Sequence, residues 1–337
     1  MILDFGSPRE IDTGTTPNTS FGTRLLSTTD PEVIVNLDQI KTSVIAFIAG
    51  YRGQECGRPE EQFAGKMTII VGLSNSKVPI ASNVMTDTKF IDNTALSALH
   101  GNSWALMIRD INKEIGSAYP NIQATGGIDA EIKKDRWSSF DQTIQWTDGY
   151  VDKQTQNITH TPELSNFGSC DGCPKGDDIS GAGKQTVLNN VYQYSRRRFL
   201  GRPFVQVYES DQVFQWYNMR RYGIASGRRL FTIYGAVSTC GSISDKCPAS
   251  GDPRFTKPWY DPVFLPAKLS TDPNRLFLPN SQTWQALYDV LNNTNIERSE
   301  EISSVGPNGS IKPANRMPAQ GDLIWLTAFV NSAFNNS

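Results

Sequence analysis

The chain has 337 residues, of which 38% are hydrophobic and 20% are charged, a balance typical of a globular protein that can bury a large core. Its 32 Lys and Arg residues nearly match its 34 Asp and Glu residues, for a formal charge of −2. This balance gives no electrostatic basis for binding nucleic acid or an anionic membrane. Membrane insertion is also not expected, because no stretch approaches the ~20 consecutive apolar residues of a membrane-spanning helix.

The five cysteines bear on whether the protein resides in an oxidising or a reducing compartment. Cys170 and Cys173 form a Cys-Asp-Gly-Cys motif, and Cys240 and Cys247 flank a second polar loop. Two local disulfides or one four-thiolate zinc site would each suit this set. The wide spacing of the second pair favours disulfides, which leaves Cys56 as a free thiol and indicates an oxidising compartment. The N-terminus shows no signal peptide, so the protein is either cytosolic or, as a secreted or cell-surface protein, carries its signal outside this sequence.

The first elements in chain order are a short strand, a long loop and a helix. Residues 1–5 form an apolar run that predicts the strand, and residues 8–31 have the Thr, Ser, Gly and Asn content of a loop. Asp30-Pro31-Glu32 has the residue types of a helix start, so we predict a helix from there to about Gly50. Further strands are predicted at 67–73, 122–128, 164–168, 204–208 and 230–235, and further helices at 104–115, 141–146, 186–198, 210–222 and 283–291.

Short apolar strands that alternate with amphipathic helices predict a parallel sheet covered by helices. The chain length suits a (β/α)₈ TIM-like barrel, regular or irregular, with long loop insertions. Two more strands are then required, and residues after Thr239 and at 323–326 are the candidates. An open doubly wound sheet is the alternative, but no Gly-x-Gly-x-x-Gly turn supports it. We therefore predict one domain over 1–337, with a loop insertion at 240–280 and a C-terminal extension at 295–337.

Functional residues of such barrels lie at the carboxyl ends of the strands. Asp129 and Glu131 follow a strand at i and i+2, so their carboxyl groups should face the barrel mouth together. Two neighbouring negative charges can keep one group protonated as a general acid while the other is ionised, which is the arrangement of a glycoside hydrolase. An acidic, solvated strand end is the plainer interpretation. With two histidines in the chain, we expect neither a Ser-His-Asp mechanism nor a metal or other cofactor.

Other polar or aromatic residues follow the predicted strands and could bind a substrate. Gly126 and Gly127 would allow a backbone or a sugar to approach the strand closely. Trp259 lies in a Pro-rich loop and could stack on the apolar face of a sugar ring. The strand-end residues in this substrate-binding set are Asn75, Asn166, Tyr208, Glu209 and Tyr234, with Asp4 at the end of the first strand.

Several blocks of the sequence, taken together, resemble a known family. They are Leu3-Asp4-Phe5-Gly6, His100-Gly101-Asn102-Ser103-Trp104, the run from Gly126 to Glu131, the run from Asn166 to Pro174, Gln215-Trp216-Tyr217 and the Cys240–Cys247 loop. The chain resembles, over most of residues 1–295, an uncharacterised family of bacterial extracellular domains described as glycoside-hydrolase-like. That family is more distantly similar to family-25 lysozymes, in which an Asp-x-Glu on a barrel strand cuts peptidoglycan.

The resemblance implies a role for each acidic residue. Glu131 would be the acid, Asp129 would orient or stabilise the N-acetyl group of the substrate, and Asp4 would sit beside them on the first strand. Lysozymes of that type carry further acidic residues on other strands, for which Glu209 is a candidate here. The substrate would be an N-acetylated cell-wall or extracellular polysaccharide.

Two other functions stay open at this point. One is a non-catalytic barrel that binds glycan or assembles into a surface layer or fibre. The other is a zinc-dependent hydrolase, which rests only on the four loop cysteines.

Overall fold

The structure is a computed structural model; it describes residues 2–11, 16–25, 33–54, 67–75, 88–90, 94–130, 140–152, 162–170, 172–176, 178–196, 203–206, 212–227, 235–238 and 319–325. Its strands are β1 (Ile2–Asp4), β2 (Ser7–Ile11), β3 (Phe21–Arg24), β4 (Ile34–Asn36), β5 (Met67–Ser74), β6 (Thr88–Phe90), β7 (Ile122–Asp129), β8 (Leu164–Asn166), β9 (Phe204–Gln206), β10 (Gly235–Ser238) and β11 (Ala319–Trp325). Its helices are α1 (Pro17–Ser20), α2 (Leu37–Gln54), α3 (Thr94–Ile115), α4 (Phe140–Val151), α5 (Ala182–Arg196) and α6 (Gln212–Ala225). The architecture is α/β with a parallel sheet, as the sequence predicts.

The parallel sheet has the strand order β8-β7-β5-β1-β11-β10-β9. Its register places Asp4 beside Gly72 of β5, and Gly72 beside Gly127 of β7. The predicted strand at 323–326 is confirmed as part of β11. This strand pairs with both β1 and β10, so part of the segment predicted as a C-terminal extension lies inside the sheet.

The two faces of the sheet have different surroundings. Alternate residues such as Leu3, Val71 and Ile128 point toward α2, α3 and α4 and belong to the main hydrophobic core. Three other buried apolar side chains, those of Ile2, Ile70 and Phe167, are outside that core cluster. Because side chains alternate along a strand, they mark the opposite face, which we call the inner face.

A second, antiparallel sheet has the order β4-β3-β2-β6, so the prediction of a loop over residues 8–31 was wrong at residues 8–11 and 17–24. The local sequence is polar and contains Pro8, which disfavours a central strand. Pro8 is tolerated because, in the part of β6 that the structure describes, the pairing with β2 covers residues 9–11. The missing backbone N–H of Pro8 therefore removes no hydrogen bond from the described β2–β6 ladder.

The predicted helix start at Asp30 was also wrong, because β4 occupies residues 34–36 and α2 begins at Leu37. Asn36 and Gln39 form reciprocal bonds, in which each backbone N–H donates to the other side-chain oxygen at 2.9 Å. This is a capping box with amide side chains. It satisfies N–H groups at the helix start, which the Asp-Pro-Glu pattern six residues earlier does not do.

Helix α3 begins ten residues before its predicted start at Trp104. The added residues include His100 and Gly101, which lack the apolar periodicity used in the prediction. A Cβ on Gly101 would overlap the backbone of Trp146 in α4, and a Cβ on Gly149 would overlap the backbone of Ala98 in α3. The two glycines therefore let these helices cross at close range, which explains a polar, glycine-containing helix segment.

Some predicted elements fall outside the described residues: the helix at 283–291, the insertion at 240–280, most of the strand at 230–235 and the extension before residue 319. Among the helices that the structure describes, none is long and apolar enough to cross a membrane.

Candidate functional site

Asp4 and Asp129 both lie at the carboxyl edge of the parallel sheet, and both belong to the inner-face alternation. Ser74 of β5 is the register partner of Asp129, and Gly72 of β5 is the partner of Asp4. One strand, β5, thus lies between the two strands that carry these aspartates. In register, Asp129 lies two residues beyond the level of Asp4. With strands ~4.8 Å apart and ~3.3 Å per residue, the two Cα atoms are roughly 12 Å apart.

Asp129 is held by β5 at the end of its strand. The Ser74 hydroxyl donates to Asp129 Oδ2 at 3.3 Å, and the backbone N–H of Asn75 donates to the Asp129 carbonyl at 3.1 Å. The residue as a whole is 5% exposed. A carboxyl group in this position has a defined orientation relative to the neighbouring strand.

Asp4 is also buried but is less well satisfied. Its Oδ1 accepts a hydrogen bond from the backbone N–H of Gly6 at 2.8 Å. Its Oδ2 has no hydrogen-bond partner in the part of the chain that the structure describes. Burial raises the pKa of Asp4 to about 6, against the opposing effect of the Gly6 hydrogen bond. Below that pH the group is a neutral carboxylic acid that can donate a hydrogen bond or a proton.

Two residues of the predicted substrate-binding set, Asn75 and Asn166, are directed elsewhere. The Asn75 amide donates to Thr143 Oγ1 of α4 at 3.5 Å, on the helix-covered face. Asn166 Oδ1 accepts from the backbone N–H groups of Gly168 at 2.9 Å and Ala130 at 3.4 Å. Asn166 thereby joins the ends of β7 and β8. The structure does not bring either side chain to the inner face beside Asp4 and Asp129.

The space beside the glycines of β7 is filled by other side chains of the protein and is not open to a sugar. A Cβ on Gly126 would overlap the ring and hydroxyl of Tyr150, and a Cβ on Gly127 would overlap Ile70 and Phe167. The Tyr150 hydroxyl accepts from Gly126 N–H and donates to the Glu163 carbonyl, both at 3.1 Å. The expectation of close sugar approach at these positions was therefore wrong.

A buried histidine lies behind the site rather than in it. His100 is bonded on both ring nitrogens: Trp146 Nε1–H donates to Nδ1 at 3.0 Å, and Nε2 lies 2.9 Å from the Gly22 carbonyl. The second contact requires the proton on Nε2, so the ring is neutral. Burial lowers the pKa of His100 to about 4. This network ties β3 to α3 and α4 and is structural.

The predicted Cys170–Cys173 disulfide is confirmed, since the two sulfur atoms are at bonding distance and the Cα atoms are 5.4 Å apart. The loop also contacts α6. Gln215 donates to the Cys173 carbonyl at 3.0 Å, and Asn218 donates to the carbonyls of Pro174 and Gly176 at 2.9 and 2.8 Å. Among the described residues, no group of three or more His, Cys, Asp or Glu could hold a metal ion.

The remaining predicted site residues are outside the described part of the chain, and their roles stay predictions. They are Glu131, Tyr208, Glu209, Tyr234, Trp259, Cys240 and Cys247.

The sequence interpretation missed Phe167 and Tyr150. Their signal in the sequence is indirect: Gly72, Gly126 and Gly127 lie within apolar strands, and such glycines require large side chains from neighbouring elements to fill the space.

Comparison with protein-family models, curated proteins and solved structures finds no match for this chain.

Proposed function

We propose that this chain is a glycoside hydrolase that acts on an N-acetylated cell-wall or extracellular polysaccharide. The observation that carries the proposal is the pair of buried carboxyl groups, Asp4 and Asp129, at one edge and on one face of the parallel sheet. Glu131 follows Asp129 by two residues. Asp4 and Asp129, from two strands, thus lie where enzymes of this architecture keep their catalytic groups, and we propose that Glu131 joins them there.

The proposed chemistry divides the acidic residues by protonation state. Glu131 donates a proton to the glycosidic oxygen, which departs as an alcohol, and a water molecule supplies the hydroxyl group that the anomeric carbon gains. Asp129 orients the N-acetyl group of the sugar, with its own orientation fixed by the Ser74 hydroxyl. Asp4 is a neutral hydrogen-bond donor below pH of about 6, because burial raises its pKa to that value. No cofactor is required.

The closed TIM-like barrel is part of the same proposal. Read from β9, the sheet order is β9, β10, β11, β1, β5, β7, β8, which is chain order taken cyclically. A doubly wound sheet instead reverses its order at a switch point. Cα atoms of the two outermost strands, β8 and β9, come within 8 Å of each other, which supports closure of the sheet.

The proposed location is the cell surface or the extracellular space. The Cys170–Cys173 disulfide supports it, because such bonds persist mainly in oxidising compartments.

One observation favours a second function, a barrel that binds glycan or assembles with other copies without cleaving. Asp4 is 4% exposed and Asp129 is 5% exposed, and Phe167 covers Gly72 and Gly127 on the same inner face. A substrate must reach at least one of these groups for catalysis. A site that stays filled would serve a structural role.

An assay for new reducing ends separates the two functions. The purified protein is incubated with peptidoglycan, chitin-type and neutral polysaccharides. We expect wild type to release reducing ends from an N-acetylated polymer. Asp129→Asn should lower the rate and move the pH optimum downward, because removing a neighbouring negative charge makes Glu131 easier to ionise.

The control is Asp110→Asn, the same change at a half-exposed aspartate of α3 that pairs with Arg109; it should leave the rate unchanged. Absence of release from every polymer, with saturable glycan binding or concentration-dependent self-association, would support the non-catalytic function and contradict the hydrolase.

A further inference from the structure

The inner face has a gap beside Asp4 that one aromatic ring fills. Gly72 is the register partner of both Asp4 and Gly127, so two adjacent strands carry no side chain at this level. A Cβ on Gly72 would overlap the Phe167 ring, and a Cβ on Gly127 would lie 2.8 Å from Cε1 of that ring. The ring therefore occupies the space of two missing side chains.

Phe167 is fixed in this place by its backbone. Its N–H donates to the Ile128 carbonyl at 2.9 Å, which extends the β7–β8 ladder by one residue. The next residue, Gly168, packs so closely on Ala130 that a Cβ there would overlap the Ala130 backbone. The disulfide at Cys170 begins two residues later. These constraints leave the ring no exposed surface.

A fully buried ring cannot stack on a sugar, so a role as a binding platform is excluded in this conformation. Its effect must reach the substrate through a neighbour. Asp4 is that neighbour, because it is one strand spacing, ~5 Å, from the Gly72 position that the ring covers. On the described inner face, the charged group closest in register to Asp4 is Asp129.

We propose that Phe167 is a positioning residue of the site, whose ring excludes water from Asp4 and so favours the protonated, neutral form of that carboxyl group. Asp4 Oδ2 has no partner among the described residues, and an apolar ring beside it supplies none. Desolvation by such a group disfavours the carboxylate form. The catalytic consequence rests on the proposed function, but the effect on Asp4 does not.

The test is the titration of Asp4 by carboxyl ¹³C NMR, with its signal assigned by its loss in Asp4→Asn. In Phe167→Ala, water should enter the space that the ring vacates. At pH 5.5 the ratio of ionised to protonated Asp4 should rise about tenfold, which corresponds to a decrease of one in its pKa. Phe167→Leu keeps an apolar side chain and serves as the second variant if Phe167→Ala fails to fold. It should change the ratio in the same direction by a smaller factor.

Phe5→Leu is the matched control, because Phe5 belongs to the core on the opposite face; its Asp4 titration should match wild type. An unchanged Asp4 titration in both Phe167 variants would overturn the proposal. So would an equal change in Phe5→Leu. If wild type cleaves no polysaccharide, the proposed function fails while the NMR result still decides the role of Phe167.

Discussion

The Ser74 hydroxyl donates a hydrogen bond to Asp129 Oδ2 across the β5–β7 ladder, at 3.3 Å between register partners. This bond joins the two strand ends where the proposed chemistry takes place. Its donor is 1% exposed, so water does not readily replace it.

Ser74→Ala should therefore destabilise the protein. Hydrogen bonds to charged groups contribute about 1.5–3 kcal/mol, and a buried acceptor that loses its donor carries a desolvation penalty. Urea unfolding at pH 7 should show a decrease in this range. Ser43→Ala is the control, since that hydroxyl donates to the Gln39 carbonyl within α2 and helix stability gains little from such a bond. Equal losses in both variants would show that the Asp129 contact contributes nothing.

Asp4→Asn should be more favourable to stability, compared with wild type, at neutral pH than at acid pH. The folded pKa of Asp4, about 6, is above the ordinary value of 3.8, so the native state binds more protons than the unfolded state between these values. The stability that Asp4 provides is complete below pH 3.8 and is lost as the pH rises through 6. The loss amounts to about 3 kcal/mol.

The measurement is the free energy of unfolding of wild type and Asp4→Asn at pH 4 and pH 7. The difference between the two proteins should change by about 2 kcal/mol in favour of the variant on going to pH 7, because the unfolded state is already more than half ionised at pH 4. A constant difference would mean that Asp4 titrates normally in the folded protein.

His100 should act in the opposite direction. Its folded pKa, about 4, is below the ordinary 6.5, so the unfolded state binds the extra proton and stability is lost as the pH falls from 6.5 to 4. The loss is about 3 kcal/mol. In wild type it partly offsets the contribution of Asp4 between pH 4 and 6, so each effect is measured best in a variant that lacks one of the groups.

His100→Gln should be less sensitive than wild type to acid between pH 6.5 and 4, as measured by urea unfolding. Trp146→Phe removes the donor to Nδ1 and should bring the pKa of His100 closer to its ordinary value, which weakens the acid sensitivity without abolishing it. Full acid sensitivity in His100→Gln would assign the effect to another group.

The alternation of strands and helices could be predicted because β5 contains the apolar run from Ile69 to Leu73, as a buried parallel strand requires, and β7 is a short run of mostly apolar and small residues. The antiparallel sheet could not be predicted, since its strands are polar and their pairing depends on residues that are distant in the chain, such as Arg9 with Phe90, which are 81 residues apart. The helix start was misplaced because two N-cap patterns compete within ten residues. Only the tertiary pairing of β4 decides between them.

The candidate site was predictable in part. Asp4 and Asp129 follow apolar strands, and this was enough to place both at one edge of the sheet. The roles of Asn75 and Asn166 depend on which face each side chain takes at the end of its strand, where a change of one residue reverses the face. Phe167 was missed because its position depends on Gly72 and Gly127, which are distant in the chain.

Removing the Cys170–Cys173 bond should lower stability by about 2 kcal/mol, the chain-entropy value for so short a loop. The variant is Cys170→Ser with Cys173→Ser, compared with wild type in urea unfolding without reductant. Wild type in reductant is the control and should lose a similar amount. Thiol titration of the unfolded, unreduced protein should find no more than three thiols. Five thiols would contradict the disulfide, and a single thiol would support the predicted Cys240–Cys247 bond.

The most direct test of the proposed hydrolase is the rate of reducing-end release by Glu131→Gln on an N-acetylated polysaccharide that wild type cleaves. Gln keeps the shape of the side chain but cannot donate the proton to the departing oxygen, so kcat should fall about 10²–10⁴-fold with the fold intact. Glu114→Gln, at an exposed residue of α3 that pairs with Lys41, should retain the wild-type rate. Release at the wild-type rate by Glu131→Gln, or no release by wild type from any N-acetylated polymer, would contradict the account.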